Sequence, residues 1–413
     1  MSSILYRNND NDIFVVDIPA TIAEAQSFSS ARQLASCPPP QRPWLSSEPK
    51  SVKAKFNFSK PHSHDVEYQQ VLFTVTKYLH DKEIARYHLP RWTGFANGVP
   101  CELQRPKSPQ LSSPSAQYRV DERQLPQSLN LTRNEQSLYN LGEVTNRLVA
   151  NNSDETFTLQ IGNDANYYIA PKSMFFLGDC NKSRSFHEAL WQYARDQNVP
   201  NNFHMLLMDP PWPNRSVRRS SSNDETRYEV CESVWHLRQL LFDMDISTLL
   251  ADDGYVAVWV TNNQAARSLI LSTDDGLFSA WNVVLVEEWL WVKLTQYGDP
   301  VLPIDGLWRK PYEVLLIGRR CGELMQGRDQ RVYSKECERT KKRVIFAVPD
   351  LHSRKPCLKD LLQDLLRLPK DTRSLEVFAR NLVSGWTSWG NQVLKFNDFR
   401  CWRDVQEQTS GVH

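Results

Sequence analysis

The residues best suited to chemistry stand at the end of one apolar run. His204-Met205-Leu206-Leu207-Met208 leads into Asp209-Pro210-Pro211-Trp212. Two prolines fix their own φ and donate no backbone hydrogen bond, so they stop a strand and stiffen the loop beyond it. The Pro210 carbonyl is then free to accept a hydrogen bond, and the Asp209 carboxylate is a second acceptor. Two acceptors at fixed separation suit an amino group with two N–H bonds. Trp212 adds a π-face for a flat heterocycle. An exocyclic amine on a purine is a poor nucleophile, because its lone pair is delocalised into the ring. Acceptors that draw its protons toward tetrahedral geometry localise that lone pair, which favours the transition state over the ground state. The bland alternative is a strand-ending turn with a surface Asp and a core Trp.

The elements that must carry this string are legible around it. From about residue 156, β-type runs alternate with helical segments. Thr156–Leu159 and Tyr167–Ala170, with Gly162-Asn163-Asp164 between them, suggest a hairpin. Strands are expected at Met174–Leu177, Met205–Met208, Tyr255–Val260, Val283–Val292, Tyr312–Ile317, Val344–Val348 and Leu375–Phe378. Helices are expected near 186–197, 231–242, 264–271 and 358–367. This alternation implies an α/β fold, a mostly parallel sheet with helices on both faces, whose ligands sit at the carboxyl ends of strands. Residues 151–400 form the catalytic candidate, 1–150 an N-terminal extension and 401–413 a C-terminal tail. The first 50 residues look loosely ordered, with Cys37-Pro38-Pro39-Pro40 as punctuation. Val71, Leu72, Val75, Tyr78 and Leu79 predict a helix within 66–88, and Leu138, Leu141, Val144 and Leu148 predict another helical face. RPKSPQLSSPSAQ at 105–117 reads as a linker.

Composition narrows the function. Among 413 residues, 49 Lys+Arg face 48 Asp+Glu, a net charge of +1, so any nucleic-acid affinity must come from local patches. Two such patches are Arg215, Arg218 and Arg219 ahead of Ser220-Ser221-Ser222, and Arg339, Lys341, Lys342 and Arg343. The first can neutralise phosphates; the second can do so too, or serve as a nuclear address. No apolar run approaches a membrane span, and the N-terminus lacks the layout of a secretory signal. The eight Cys make no CxxC pair, which suggests reduced thiols and no zinc site. His62, His64, His80 and His88 fit no metal motif. No GxGxxG turn precedes the Asp209 strand. The best alternative loop for a nucleotide-like ligand is Ala379-Arg380-Asn381 after Leu375–Phe378, with Gly385 and Gly390 beyond.

At this point the chain resembles a known family, the MT-A70 family of N6-adenine methyltransferases. Asp209-Pro210-Pro211-Trp212 is similar to its signature, and Val258-Trp259-Val260-Thr261-Asn262 to its next strand. Further blocks are Glu287 to Lys293, Lys310-Pro311-Tyr312-Glu313, Arg354-Lys355-Pro356, Glu376 to Asn381 and Gly385 to Asn391, in family order across roughly 165–397. The resemblance implies a permuted Rossmann-like fold whose donor loop comes from the C-terminal strand. It implies methyl transfer from S-adenosyl-L-methionine to the N6 amine of adenine in nucleic acid. RNA is favoured, with small nuclear RNA as the class and a 2′-O-methyladenosine target as one form of it. DNA adenine is the alternative, and a catalytically inactive scaffold of the same fold the second. It implies no obligate partner subunit, hence a monomer, acting in the nucleus with a cytoplasmic share allowed.

Residue by residue, the resemblance implies that Asp209, Pro210, Pro211 and Trp212 are catalytic. The donor falls to Asp179 and Cys180 at its adenine end, Asp209 beside the methyl group and Lys355 on its carboxylate. Arg380 and Asn381 take ribose or carboxylate, and Asn391 and Gln392 take ribose or adenine. The acceptor falls to Trp212, Trp259, Glu288, Lys293, Lys310 and Tyr312, with Arg215, Arg218 and Arg219 on phosphates. Glu288, Leu290 and Val292 share one strand face; Glu287, Trp289, Trp291 and Lys293 share the other. No metal is implied.

Overall fold

In a computed structural model of the chain, the described residues are 2–28, 32–45, 62–82, 84–93, 127–163, 165–213, 231, 233–321 and 340–405. Among them, one twelve-stranded sheet organises the molecule. Its strands in chain order are β1 (Ile4–Arg7), β2 (Ile13–Val16), β3 (Ser128–Asn130), β4 (Leu148–Ala150), β5 (Met174–Leu177) and β6 (Phe203–Met208). They continue with β7 (Leu250–Val260), β8 (Val283–Lys293), β9 (Tyr312–Arg320), β10 (Lys341–Ala347), β11 (Ser374–Val377) and β12 (Trp386–Gly390). Across the sheet the order is β1-β2-β10-β8-β9-β7-β6-β11-β12-β5-β4-β3. The stretch β7-β6-β11-β12-β5 is parallel throughout, while β9 runs antiparallel to both β8 and β7. The last two strands of this sheet in chain order, β11 and β12, therefore sit within its middle, beside β6. The fold is the mostly parallel, permuted α/β arrangement expected.

Helices cover both faces because the strands are apolar on both. On one face lie α2 (Ser63–His80), α3 (Ser183–Gln197), α4 (Val234–Asp243) and α5 (Gln264–Leu271). They bury Tyr68, Leu72, Phe186, Leu190, Leu237 and Ile270 against Leu206, Met208, Leu290 and Val292. On the other lie α1 (Ile18–Ala25) and α6 (Lys359–Leu365). They bury Ile18, Ile22 and Leu362 against Leu207, Trp259, Trp289 and Trp291. Each large apolar side chain so buried contributes about 1.5–3 kcal/mol. The alternation expected along Val283–Lys293 holds: Leu290 and Val292 join the first core, Trp289 and Trp291 the second.

Several expectations change. Among the first 50 residues, the described ones, 2–28 and 32–45, are not loose: Asp17 caps α1, and Phe14, Val15 and Val16 are fully buried where β2 pairs with β10. A run of Ile-Phe-Val-Val suits a strand covered on both faces, and its shortness disguised it. Leu138, Leu141, Val144 and Leu148 share no helix. Glu135–Leu138 is a strand, Leu141–Glu143 a single 3-10 turn capped by Asn140, and Leu148 opens β4. Strand–turn–strand spacing imitated a helical period there. The second helix of the extension ends at His80, short of His88. The hairpin forms, shifted to Phe157–Ile161 and Ala165–Ile169, with Gly162 at φ +64° in its turn. The tail is folded at its start, where Trp402–Asp404 pairs with Arg32–Leu34. The 105–117 linker and the Arg215, Arg218, Arg219 loop lie outside the described residues.

Candidate active site

Asp209 follows the last residue of β6 and heads a chain of alternating charges. Lys355 Nζ donates to Asp209 Oδ2 at 2.9 Å and lies 3.1 Å from Glu313 Oε2. Lys293 Nζ donates to the other oxygen of Glu313 at 2.6 Å. Two indoles line this chain. Trp259 and Trp291 meet edge to face at 6.0 Å, with Lys355 Nζ 5.8 Å from the first ring and Lys293 Nζ 4.9 Å from the second. Trp291 and Glu313 are register partners on β8 and β9, so they share a face.

The environment sets the charges. Burial by itself raises the Glu313 carboxyl, but Lys355 and Lys293 outweigh it and hold the group down to about 2. Burial opposes the charge on Lys355, yet Asp209 and Glu313 more than offset that and keep the ammonium above its usual range. Glu376, the register partner of Leu207 on β11, goes the other way. Burial, then the neighbouring charge of Asp209, push its carboxyl up to about 8, and Arg380 offsets only part of this.

The loop carrying Lys355 is held by the N-terminal extension. Arg354 donates to the Ala35 carbonyl at 2.7 Å and pairs with Asp350 at 2.6 Å. Asp350 accepts from the Cys37 N–H, and Arg91 donates to the carbonyls of Val348 and Pro349. The extension thus fixes a site residue through backbone contacts rather than by contributing one.

Beside Asp209, four adjacent parallel strands, β6, β11, β12 and β5, present their carboxyl ends in a row. Each bears a segment singled out from the sequence: Asp209 to Trp212, Phe378 to Asn381, Asn391-Gln392, and Asp179-Cys180. Phe378 holds φ +60°, a costly state for a bulky residue and one that clusters at functional sites. A Cβ on Gly390 would lie 2.9 Å from the Ala379 carbonyl oxygen, so only glycine lets β12 approach the loop after β11 this closely. Asp179 caps a 3-10 turn by accepting from the Asn181 N–H at 2.9 Å. Cys180 is buried, and burial pushes its thiol up. Arg380 reaches the Ser353 carbonyl at 3.4 Å, beside the Lys355 loop. Asn381 donates to the Leu382 carbonyl at 3.3 Å, Asn391 is exposed, and Gln392 accepts from Lys395 at 3.5 Å.

Two details of the Asp209 string differ from expectation. The Pro210 carbonyl is not free: it accepts from the Trp212 N–H at 2.8 Å, closing a tight turn that leaves its second lone pair for a ligand. Trp212 is 8% exposed, and its indole N–H donates to the Trp259 carbonyl at 2.8 Å. It acts as a tether between β6 and β7 more than as an open stacking face.

The acceptor residues split between the faces. Trp259 and Lys293 join Asp209, but Glu288, Lys310 and Tyr312 belong to a separate network under α2. Glu288, 3% exposed, accepts from the Tyr68 hydroxyl at 2.9 Å, pairs with Arg267 and has Lys342 Nζ at 3.6 Å. Lys310 pairs with Asp65, and Tyr312 packs edge-on to Tyr68 at 6.0 Å. Strand alternation puts Glu288 on the face opposite Trp291, which is why it misses the site. Of the basic run beyond, Arg339 lies outside the described residues and Lys341 is exposed, but the other two are engaged. Lys342 also reaches Glu67 at 2.6 Å, and the buried Arg343 pairs with Glu287 at 2.7 Å, so neither is an open phosphate contact or an exposed address.

This assignment is testable. Arg267→Met leaves the buried Glu288 with the Tyr68 hydroxyl and the more distant Lys342 Nζ and should cost about 3–5 kcal/mol of stability. Turnover measured well below the lowered melting temperature should stay near wild type; a loss of turnover there would return Glu288 to the acceptor pocket. The sequence pattern assigns no role to Glu313 or Glu376. A lone acid within Tyr312-Glu313-Val314 or Leu375-Glu376-Val377 was the available signal, since a buried carboxylate needs a partner.

Among the described residues, no group of three or more His, Cys, Asp or Glu side chains could hold a metal ion, and no helix is long and apolar enough to cross a membrane.

A permuted sheet with an Asp-Pro-Pro-Trp strand end defines an amino-methyltransferase class, and comparison with known proteins agrees. The MT-A70 family model matches residues 203–392. An N6-methyladenosine RNA methyltransferase of Pyricularia oryzae, MTA1, is 32% identical over 97% of this chain and 96% of its own length. The human N(6)-adenine-specific methyltransferase METTL4 is 36% identical over 60% of this chain and 48% of its own length. A Caenorhabditis elegans DNA N6-methyl methyltransferase is 29% identical over 62% of this chain and 61% of its own. The chain belongs to the MT-A70 family.

Proposed function

We propose that this enzyme methylates the N6 amine of adenosine in RNA, using S-adenosylmethionine, with small nuclear RNA as the substrate class. The observation that carries the reading is the acceptor pair of Asp209 and the Pro210 carbonyl, set beside four open strand ends. The side chains there fit the donor. It is a cation overall, and Asp209 and Glu376 are acids; its carboxylate suits Lys355 and Arg380; its ribose and adenine suit Glu376, Asn391, Gln392 and the Asp179-Cys180 turn. S-adenosylmethionine supplies a methyl group on a sulfonium, an electrophile needing no further activation. Asp209 and the Pro210 carbonyl orient the amine, localise its lone pair and take up the positive charge that develops on nitrogen. The proton shed by the methylated amine leaves by way of the Asp209 carboxylate. Trp259 and Trp291 wall off the water that would otherwise solvate these groups.

RNA stands first because the relative aligned along nearly the whole chain is named for RNA. DNA is the second reading, from the Caenorhabditis elegans relative. The enzyme acts as a monomer in the nucleus. The test is transfer of a labelled methyl group to matched oligonucleotides: single-stranded RNA, the same RNA with 2′-O-methyladenosine, small nuclear RNA, DNA, and an adenine-free control. Transfer to DNA alone would reverse the order, and donor binding without transfer would make the chain a scaffold.

Glu376 makes the donor step pH-dependent. Its folded-state pKa of about 8 lies above the ordinary 4.5, so the neutral carboxyl stabilises the fold fully below about 4.5, and that contribution is lost as pH rises through about 8. A cationic donor favours the ionised form. Binding at pH 7 should therefore release close to one proton, measured as heat that varies with buffer ionisation enthalpy. Glu376→Gln should abolish the release.

A further inference from the structure

We infer that the N-terminal extension and the β8–β9 loop together form a stacking surface for unpaired nucleotides that flank the target base. The inference rests on the proposed nucleic-acid substrate. The loop, residues 294–311, is rooted in the active site at both ends. Lys293 closes β8, and its carbonyl accepts from the Val301 N–H at 2.9 Å; Glu313 follows at the start of β9. The extension lies alongside, with the Gln296 N–H on the Pro40 carbonyl at 2.9 Å and the Trp44 N–H on the Val301 carbonyl at 2.7 Å.

The joint surface is aromatic and open. Tyr297 is 67% exposed, Phe73 on α2 is 51% exposed, and Trp44 is 46% exposed. Three large rings left this open, where soluble surfaces avoid contiguous apolar patches, mark a contact site. Phe73 lines a groove of about 510 Å³ together with Pro43, the neighbour of Trp44, and Pro300, three positions beyond Tyr297, among others. Tyr297 stands four positions beyond Lys293, a span of at most ~14 Å. A strand whose adenine occupies the site can reach this ring within a few nucleotides.

The charges present favour bases over a phosphate track. Arg42, Lys77 and Arg309 make no ion pair among the described residues, but Asp299 and Asp305 lie on the same loop. Flat rings with mixed charge take up bases of any sequence by stacking, and each ring removed costs roughly tenfold. A phosphate track would instead impose a steep salt dependence.

The test uses the full chain with Trp44→Ala, Phe73→Ala and Tyr297→Ala, singly and combined. Affinity is measured for RNA single strands of increasing length with one central adenine, and for a duplex. The expected result is unchanged affinity for the shortest strand, roughly thousandfold weaker binding of long single strands by the triple variant, and a salt slope equal to wild type. Equal affinity of wild type and triple variant at every length would overturn the surface. So would an equal loss for the shortest strand, or a change in oligomeric state with RNA binding intact, which would make the patch a protein interface. If wild type binds no strand of any length, the substrate assignment itself fails, and the surface with it. Melting temperatures check that these exposed substitutions leave the fold intact.

Discussion

Asp209→Ala will lower turnover on the order of a thousandfold while leaving the chain folded, with the loss in kcat far more than in KM. The size is that of removing a group that acts on the developing charge of a transition state. In the proposed mechanism Asp209 is one of two acceptors for the amine, and the Pro210 carbonyl, with one lone pair on the Trp212 N–H, has a single lone pair left and cannot hold both amine protons. The fold should survive, because Lys355 retains Glu313 at 3.1 Å. A second readout follows from the neighbouring charge. Asp209 helps raise the Glu376 carboxyl to about 8, so in the variant that group should titrate lower, and proton release on donor binding should shrink. Rapid-quench methyl transfer and calorimetry measure the two effects. Asp209→Asn, which keeps the shape, separates charge from size. Near-normal turnover in either variant would end the amine-orienting mechanism.

Lys355→Met carries the second large effect, on stability and donor affinity together. It removes the cation between two acids and leaves Glu313 with Lys293 alone, at a cost of about 3–5 kcal/mol. The pH dependence has a defined sign. Glu313 sits at about 2 against an ordinary 4.5, so its contribution is complete above about 4.5 and disappears as pH falls through about 2. In the variant the Glu313 carboxyl rises. The gap in melting temperature between the two proteins should therefore be widest near neutrality and close toward pH 2. Donor affinity should fall at least about tenfold, as expected for losing a charge-assisted contact. A constant gap from neutral to acid would mean that Lys355 does not set the Glu313 charge.

The candidate site was legible where chemistry and strand ends coincide. Asp209 to Trp212, Trp259, Lys293 and Lys355 could be read because each terminates or follows an apolar run, and the structure brings them together. Glu288 misled because it lies in the same run as Lys293. One residue of alternation separates two faces of the sheet, and only the helix packed there decides which face is the site. The Tyr68 hydroxyl and Arg267 that claim Glu288 are 220 and 21 residues away in sequence, beyond the reach of any local pattern. The roles of Glu313 and Glu376 were hidden for the same reason: a carboxyl's charge depends on neighbours from other strands. In the fold, amphipathic helices such as Gln264–Leu271 were readable to the residue. Four-residue strands such as Ile13–Val16 were not, because so short a run has no period of its own.

The sheet order bears on how the protein is made. A ribosome delivers β5 and β6 early, yet the two strands that lie between them, β11 and β12, are among the last to emerge. Until then the inner edges of β5 and β6 face solvent with unpaired backbone groups, which invites pairing with foreign strands. At about 5–20 residues per second, the interval from β6 to β12 lasts on the order of ten to forty seconds. Nascent chains in that window are natural clients for a chaperone that shields open strand edges. The strap that joins the two halves of the sheet also carries the proposed donor loop, so the candidate catalytic centre and the structural closure are completed in the same act of synthesis.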